Sequence, residues 1–210
     1  MILIKHRINK IKDILSLPPN LGAEIDIRYH NDELILDHDP FSHHKDYLVT
    51  LKEFMSKFHK NNLLILNIKS EGIEKRCIDL MREFNFSNWF FLDLSMPYFV
   101  KYSFEAFNSR DPMFNKNNLA VRFSDEEPIE YAASFANKAA WVWVDIFKKS
   151  VLCKQNIIKL KSLGFKICLV SPELQGHPIE FRDKFITNID LSSIDAVCTK
   201  DPIFWQENYK

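Results

Sequence analysis

The strongest constraint in this chain is an alternation. Apolar runs fit for strands, at 2–5, 22–29, 63–69, 89–94, 119–123, 141–146, 166–170 and 196–199, are separated by segments with helical spacing. Those segments lie at 9–17, 47–59, 72–84, 96–107, 128–137, 154–163 and 179–186, with a tail helix at 203–208. A ninth run, 33–37, reads as an extra piece of the loop after the second strand. Strands that alternate with helices build parallel βαβ units. Eight such units close into a barrel, which leaves no edge strand. The open alternative, a doubly wound sheet, asks for a glycine-rich phosphate loop after an early strand. The chain has four glycines and no G-x-G-x-x-G. The expectation is an α/β fold, a compact (β/α)8 TIM barrel formed by residues 1–210 as one domain. No Pro/Gly/Ser-rich linker divides the chain.

Composition narrows the classes. Lys+Arg and Asp+Glu are both 28, so the basic footprint of a nucleic-acid binder is missing. Cys77, Cys153, Cys168 and Cys198 lack C-x-x-C spacing, which argues against structural zinc and for free thiols at core positions. Charges come too early for a signal peptide, and no apolar run is long enough to span a bilayer. These features suit a soluble protein of a reducing, cytoplasmic compartment.

Side chains of a strand alternate between faces. In 22–29 the odd positions are apolar, while Glu24, Asp26 and Arg28 share the other face. In a barrel the apolar face packs on helices, so the charged face points inward. Two carboxylates two residues apart stand roughly 6.5 Å apart along the backbone, a spacing that can bracket one hard cation. The same alternation also suits a strand half exposed to water. Other strands end in polar residues too: His6 and Arg7, Asn67 and Lys69, Asp93 and Ser95, Arg122 and Ser124, Asp145, Ser171 and Glu173, Lys200 and Asp201. Strand ends of a barrel converge on one mouth, where barrel active sites lie. His38 sits in Asp37-His38-Asp39-Pro40 just past the charged strand, whereas His30, His43, His44, His59 and His177 read as surface residues. Trp141 and Trp143 share the face of Asp145, so they either line the pocket or fill the core. Arg122 either holds a phosphate or pairs with Asp145.

Several of these segments carry a resemblance to one family. His6-Arg7, Gly22-Ala23-Glu24-Ile25-Asp26, the run Leu34 to Asp39 ending in His-Asp, Asn67-Ile68-Lys69 and the terminal Asp195 to Pro202 together resemble the glycerophosphodiester phosphodiesterases, of the PLC-like phosphodiesterase superfamily. The resemblance implies a barrel, a divalent cation (Mg²⁺ or Ca²⁺) and hydrolysis of a small-molecule or lipid-derived phosphodiester. It implies Glu24 and Asp26, with Asn67, as metal ligands, and His6 and His38 as general acid and base. Arg7 and Lys69 are implied as phosphate contacts, and Arg122, Trp143, Asp145 and Lys200 are candidate substrate contacts. The chain departs from the family in several places, among them a spacing after Gly22 that is one residue short. Ile8 stands where glycine usually follows His-Arg, and Asn67 stands where the third strand usually has glutamate. Pro18-Pro19-Asn20-Leu21 reads as a reduced Pro-Glu-Asn-Thr stretch, with Pro19 at a further ligand position. Only seven residues separate Asp39 from Tyr47, too few for a glycerol-pocket insertion. A barrel that binds a phosphorylated ligand without turnover is the alternative. A Schiff-base enzyme using Lys69 or Lys200 is a third reading.

Overall fold

The structure, a computed structural model, describes residues 1–40 and 47–208. The short segment after Asp39, with His43 and His44, lies outside the described residues. In chain order the elements are β1 (Ile2–Lys5), α1 (Ile11–Leu15), β2 (Gly22–His30), β3 (Glu33–Leu36), α2 (Leu51–Met55), β4 (Leu64–Ile68), α3 (Glu74–Glu83), β5 (Trp89–Leu92) and α4 (Met96–Asn108). They continue with β6 (Ala120–Phe123), α5 (Ile129–Ala133), β7 (Trp141–Val144), α6 (Lys154–Ser162), β8 (Lys166–Val170), α7 (Ile179–Ile186), β9 (Ala196–Thr199) and α8 (Pro202–Asn208).

Eight parallel strands run in the order β5-β4-β2-β1-β9-β8-β7-β6, and β3 folds back antiparallel on the end of β2. An isolated parallel bridge between Phe91 and Leu119 joins the two ends of this order. The result is a nearly closed (β/α)8 barrel, as the alternation predicts. No helix among the described residues is long and apolar enough to cross a membrane.

The period-two pattern divides two cores. Inward residues such as Ile4, Ile65, Phe90, Trp141, Trp143 and Cys198 fill the lumen. Outward residues such as Ile25, Leu66, Phe91 and Val142 pack with Phe54, Cys77, Met81 and Leu160 of the helices. Burying each large apolar side chain contributes about 1.5–3 kcal/mol before entropy is counted. Cys77, Cys168 and Cys198 are buried as expected, but Cys153 is exposed.

Several helices are shorter than their periodicity predicts. Thr50 caps α2 by accepting from the Glu53 N–H at 3.1 Å, so the helix begins there and not at Tyr47. Asn9 is drawn out of α1 because its side chain is engaged by β2. Gly164, at φ 83°, ends α6 in the left-handed conformation a helix C-terminus favours.

Gly22 starts β2 where β1 and β4 press closest. A Cβ there would stand 2.6 Å from the Leu63 carbonyl oxygen, which accepts the Ala23 N–H, and 3.1 Å from Ile4. Gly22→Ala is therefore expected to lower unfolding free energy by about 1–3 kcal/mol, measured by urea denaturation.

Candidate functional site

Glu24 and Asp26 project from β2 into the lumen and are 1% and 0% exposed, while Ala23, Ile25 and Ile27 enter the outer core. The loop after β1 grips both carboxylates. Glu24 Oε2 accepts from the backbone N–H of Arg7 at 2.8 Å, and Oε1 accepts from Asn67 Nδ2 at 2.8 Å. Asp26 Oδ2 accepts from Asn9 Nδ2 at 2.8 Å, and its backbone N–H donates to Asn9 Oδ1 at 3.0 Å. Arg7 takes a left-handed φ of 56°, a conformation that strains a residue with a side chain. The turn that brings its N–H to Glu24 therefore falls on Arg7. Ile8, in place of a glycine, is 4% exposed and packs into the outer core. Burial, and then Asp26, push the Glu24 carboxyl up to about 7, against the pull of Asn67 and Arg7.

The imidazoles flank this pair. His6 Nε2 lies 3.7 Å from Glu24 Oε2. Burial, then Arg7 and Lys200, hold the His6 ring down at about 3, so it is neutral near pH 7. His38 follows β3. Its Nε2 meets the Arg7 guanidinium at 2.5 Å, and its Nδ1 meets Asp39 Oδ1 at 2.9 Å. A guanidinium only donates, so Nε2 is the acceptor and Nδ1 carries the hydrogen to Asp39. Arg28 closes the base of this loop by donating to the carbonyls of His38 at 2.8 Å and Lys69 at 3.0 Å.

Cations extend the site across the mouth. Arg7 Nε lies 3.9 Å and Lys69 Nζ 3.7 Å from Asp26. Lys69 also donates to Asp93 Oδ2 at 3.0 Å. Asp93 just past β5 would face the helices if the strand continued, but its φ of 59° turns it to the mouth. There it also takes Arg122 at 2.6 Å, and Arg122 takes Asp145 at 2.6 Å. Gln175 donates to the other Asp145 oxygen at 2.5 Å. Trp143 is 5% exposed and packs below in the inner core.

Burial pushes the Asp145 carboxyl up to about 6 against the pull of Arg122. Removing the guanidinium leaves a buried charge unpaired. Because Arg122 keeps 30% exposure, Arg122→Met is expected to cost about 2–4 kcal/mol, short of the figure for a fully buried pair. The folded chain binds this proton more tightly than the unfolded chain. The deficit should therefore shrink as pH falls from 7 toward 5, measured by denaturation at both pH values.

Other polar strand ends serve the frame. Ser171 and Thr199 both donate to Glu173, and the buried Trp205 indole of α8 donates to Ser171 at 2.9 Å. Asp201 accepts from Arg182 at 3.1 Å. Lys200 is exposed, its carbonyl taking the Lys5 ammonium at 2.5 Å, and among the described residues it joins no ion pair of the central cluster. His59 is exposed as expected. His30 and His177 are half-buried instead, and His177 stacks on Phe181 at 4.2 Å and bonds the Ile146 carbonyl at 2.7 Å.

Pro19 corrects the reading of the first loop. It is exposed just before β2, where its carbonyl accepts from Asn62 at 2.9 Å. The segment that reaches Asp26 is Ile8-Asn9 instead. Sequence reading missed Asn9 because a helix-entry asparagine reads as an ordinary cap.

Among the described residues, no three His, Cys, Asp or Glu side chains group around one ion position. The donors present are nevertheless all oxygen. Asp26 Oδ1 and Asn67 Oδ1, on residues paired across β2 and β4, are buried without hydrogen-bond partners. Buried acceptors rarely stay unpaired, and a hard divalent cation takes carboxylate and amide oxygens. Glu24, Asp26 and Asn67 thus fit such an ion.

No protein-family model and no curated protein matches this chain. Solved structures do. One, a glycerophosphodiester phosphodiesterase from Thermotoga maritima, aligns at TM-score 0.69 and 14% identity, over 99% of this chain and 97% of its own. The chain shares the glycerophosphodiester phosphodiesterase fold. The corresponding enzyme from Agrobacterium tumefaciens gives TM-score 0.64 and 13% identity over 95% and 96% of the two chains. A glycerophosphoryl diester phosphodiesterase from Parabacteroides distasonis gives 0.65 and 15% over 99% and 85%. The sequence resemblance and the fold likeness agree, from end to end of the chain.

Proposed function

We propose that the mouth of this barrel hydrolyses a small or lipid-derived phosphodiester with the help of Mg²⁺ or Ca²⁺ and releases an alcohol. The observation that carries this reading is one cluster. Two buried carboxylates and two buried oxygens without a hydrogen bond, of Asp26 and Asn67, are ringed by Arg7, Lys69, His6 and His38. Glu24, Asp26 and Asn67 would hold the cation, which neutralises phosphoryl charge and makes a bound hydroxyl or water more acidic.

The side chains supply the rest. Arg7 and Lys69 hold the anionic phosphoryl oxygens and stabilise charge that develops on them. His6, neutral in its buried setting, takes the proton of the attacking oxygen as the new P–O bond forms. The ester P–O bond breaks, and His38, having taken a proton from solvent on the Nε2 that phosphate binding frees, gives that proton to the leaving alkoxide. A phosphate on Arg7 frees His38 Nε2 from the guanidinium. Asp39 keeps the ring oriented. Arg122, Asp145 and Lys200 remain candidate substrate contacts, with the buried Trp143 packed beneath them. Free thiols suit a reducing compartment such as the cytoplasm, and net charge zero does not suit a nucleic-acid partner.

Hydrolysis of bis(p-nitrophenyl) phosphate tests the proposal. Turnover with Mg²⁺ or Ca²⁺ that stops on chelation supports it. No turnover with either ion sinks it.

One observation favours a second reading, binding without turnover: Asn67 replaces a carboxylate beside Glu24. Calorimetry separates the two, since cation-independent binding of a phosphorylated ligand without hydrolysis supports the second. A Schiff-base role does not suit Lys69, whose ammonium is engaged by Asp93 and Asp26.

A further inference from the structure

The contact between β5 and β6 differs from every other in the ring. Each other neighbouring pair shares a ladder, whereas these two share one isolated bridge, Phe91 to Leu119. Beside it, a cleft of about 520 Å³ is lined by residues of β6 and by residues that follow β5 and β6. Its apolar lining is Leu94, Met96, Phe99, Val121, Pro128 and Tyr131. Met96, in the first turn of α4, is 62% exposed. Asp93 and Arg122 form the polar margin toward the lumen, and Glu126 and Glu127 also line the cleft, paired with Lys148 and Arg122.

We propose that this cleft receives an aliphatic chain of the substrate, so that the preferred phosphodiester carries an apolar arm. The inference rests on the phosphodiesterase reading and adds to it a class of substrate. Three observations converge. The volume lies in the range of small-ligand sites. Apolar side chains make up most of the lining, and Met96 among them is exposed. The cleft borders the site, because Asp93 and Arg122 on its margin belong to the ion-pair network that reaches Lys69, which stands 3.7 Å from Asp26. A phosphate held by Lys69 is thus one side chain away from the cleft.

Turnover of p-nitrophenyl octyl phosphate against p-nitrophenyl methyl phosphate tests this, beside calorimetric binding of octyl phosphate against methyl phosphate. Wild-type kcat/KM is expected to be about 10–100-fold higher for the octyl ester, because methylenes are driven from water into the cleft. Leu94→Trp and Met96→Trp narrow the cleft from two sides and should bring that ratio toward one. Met96 is exposed, so its variant tests the idea even where Leu94→Trp misfolds. Equal rates for the two esters, or a ratio unchanged in both folded variants, overturns the cleft assignment while leaving the phosphodiesterase reading intact. Chain-dependent binding of octyl phosphate that the variants abolish, with hydrolysis of neither ester, keeps the cleft and overturns that reading. Neither binding nor hydrolysis overturns both.

Discussion

His6→Ala and His38→Ala each lower kcat on an aryl phosphodiester by about 10²–10⁴-fold, the range for removing a positioned acid or base. The two variants differ in what else they do. His6 Nδ1 is buried with no hydrogen-bond partner. Deleting that ring removes an unsatisfied polar group, so most of its loss in packing is offset. His6→Ala should therefore unfold within a few degrees of wild type. His38 bridges Arg7 and Asp39 at the surface. Its removal releases the Arg7 guanidinium, and KM is expected to change as well as kcat. Stopped-assay kinetics with a thermal melt of each variant check both statements. Wild-type rates in both would remove the two histidines from the chemistry.

The second large effect concerns the ion. Asp26→Asn is expected to abolish saturable Mg²⁺ or Ca²⁺ binding and to reduce turnover to the level seen under chelation. Asn67→Asp should do the opposite, with a cost. Asn67 donates to Glu24 at 2.8 Å in a buried position, and an aspartate there replaces that bond by like-charge repulsion. The ion-free variant should be less stable than wild type. With the ion bound the added charge tightens affinity, on the order of tenfold, as ligand charge does in calcium sites. The expected signature is a crossing: a lower melting point than wild type without the cation and a larger rise when it is added. Melts with and without CaCl₂ read it directly. An Asn67→Asp protein that melts identically with and without ion contradicts the assignment.

Much of this arrangement is legible in the sequence for physical reasons. Period two in β2 follows from the pleat, so Glu24 and Asp26 had to share a face. That face is inward because Ala23, Ile25 and Ile27 need the helices. Strand ends of a barrel converge, so His6, Asn67, Lys69, Arg122 and Asp145 reach one mouth. The illegible parts are those where backbone conformation breaks the period. Left-handed turns at Arg7 and Asp93 redirect those residues, and neither is a glycine that would announce a turn. Asn9 hides as a helix-entry residue, and the Pro18-Pro19 pair mimics a motif at the wrong end of α1. The open seam beside β5 was also invisible, since apolar residues in a short strand read alike whether or not the next strand pairs with them.

Crystals soaked with Mn²⁺ and inorganic phosphate test the central claim most directly, through the anomalous signal of the metal. The account expects one Mn²⁺ touching oxygens of Glu24, Asp26 and Asn67, with the phosphate on Arg7 and Lys69. A mouth that stays free of metal at saturating Mn²⁺, or a phosphate bound away from those carboxylates, would contradict it.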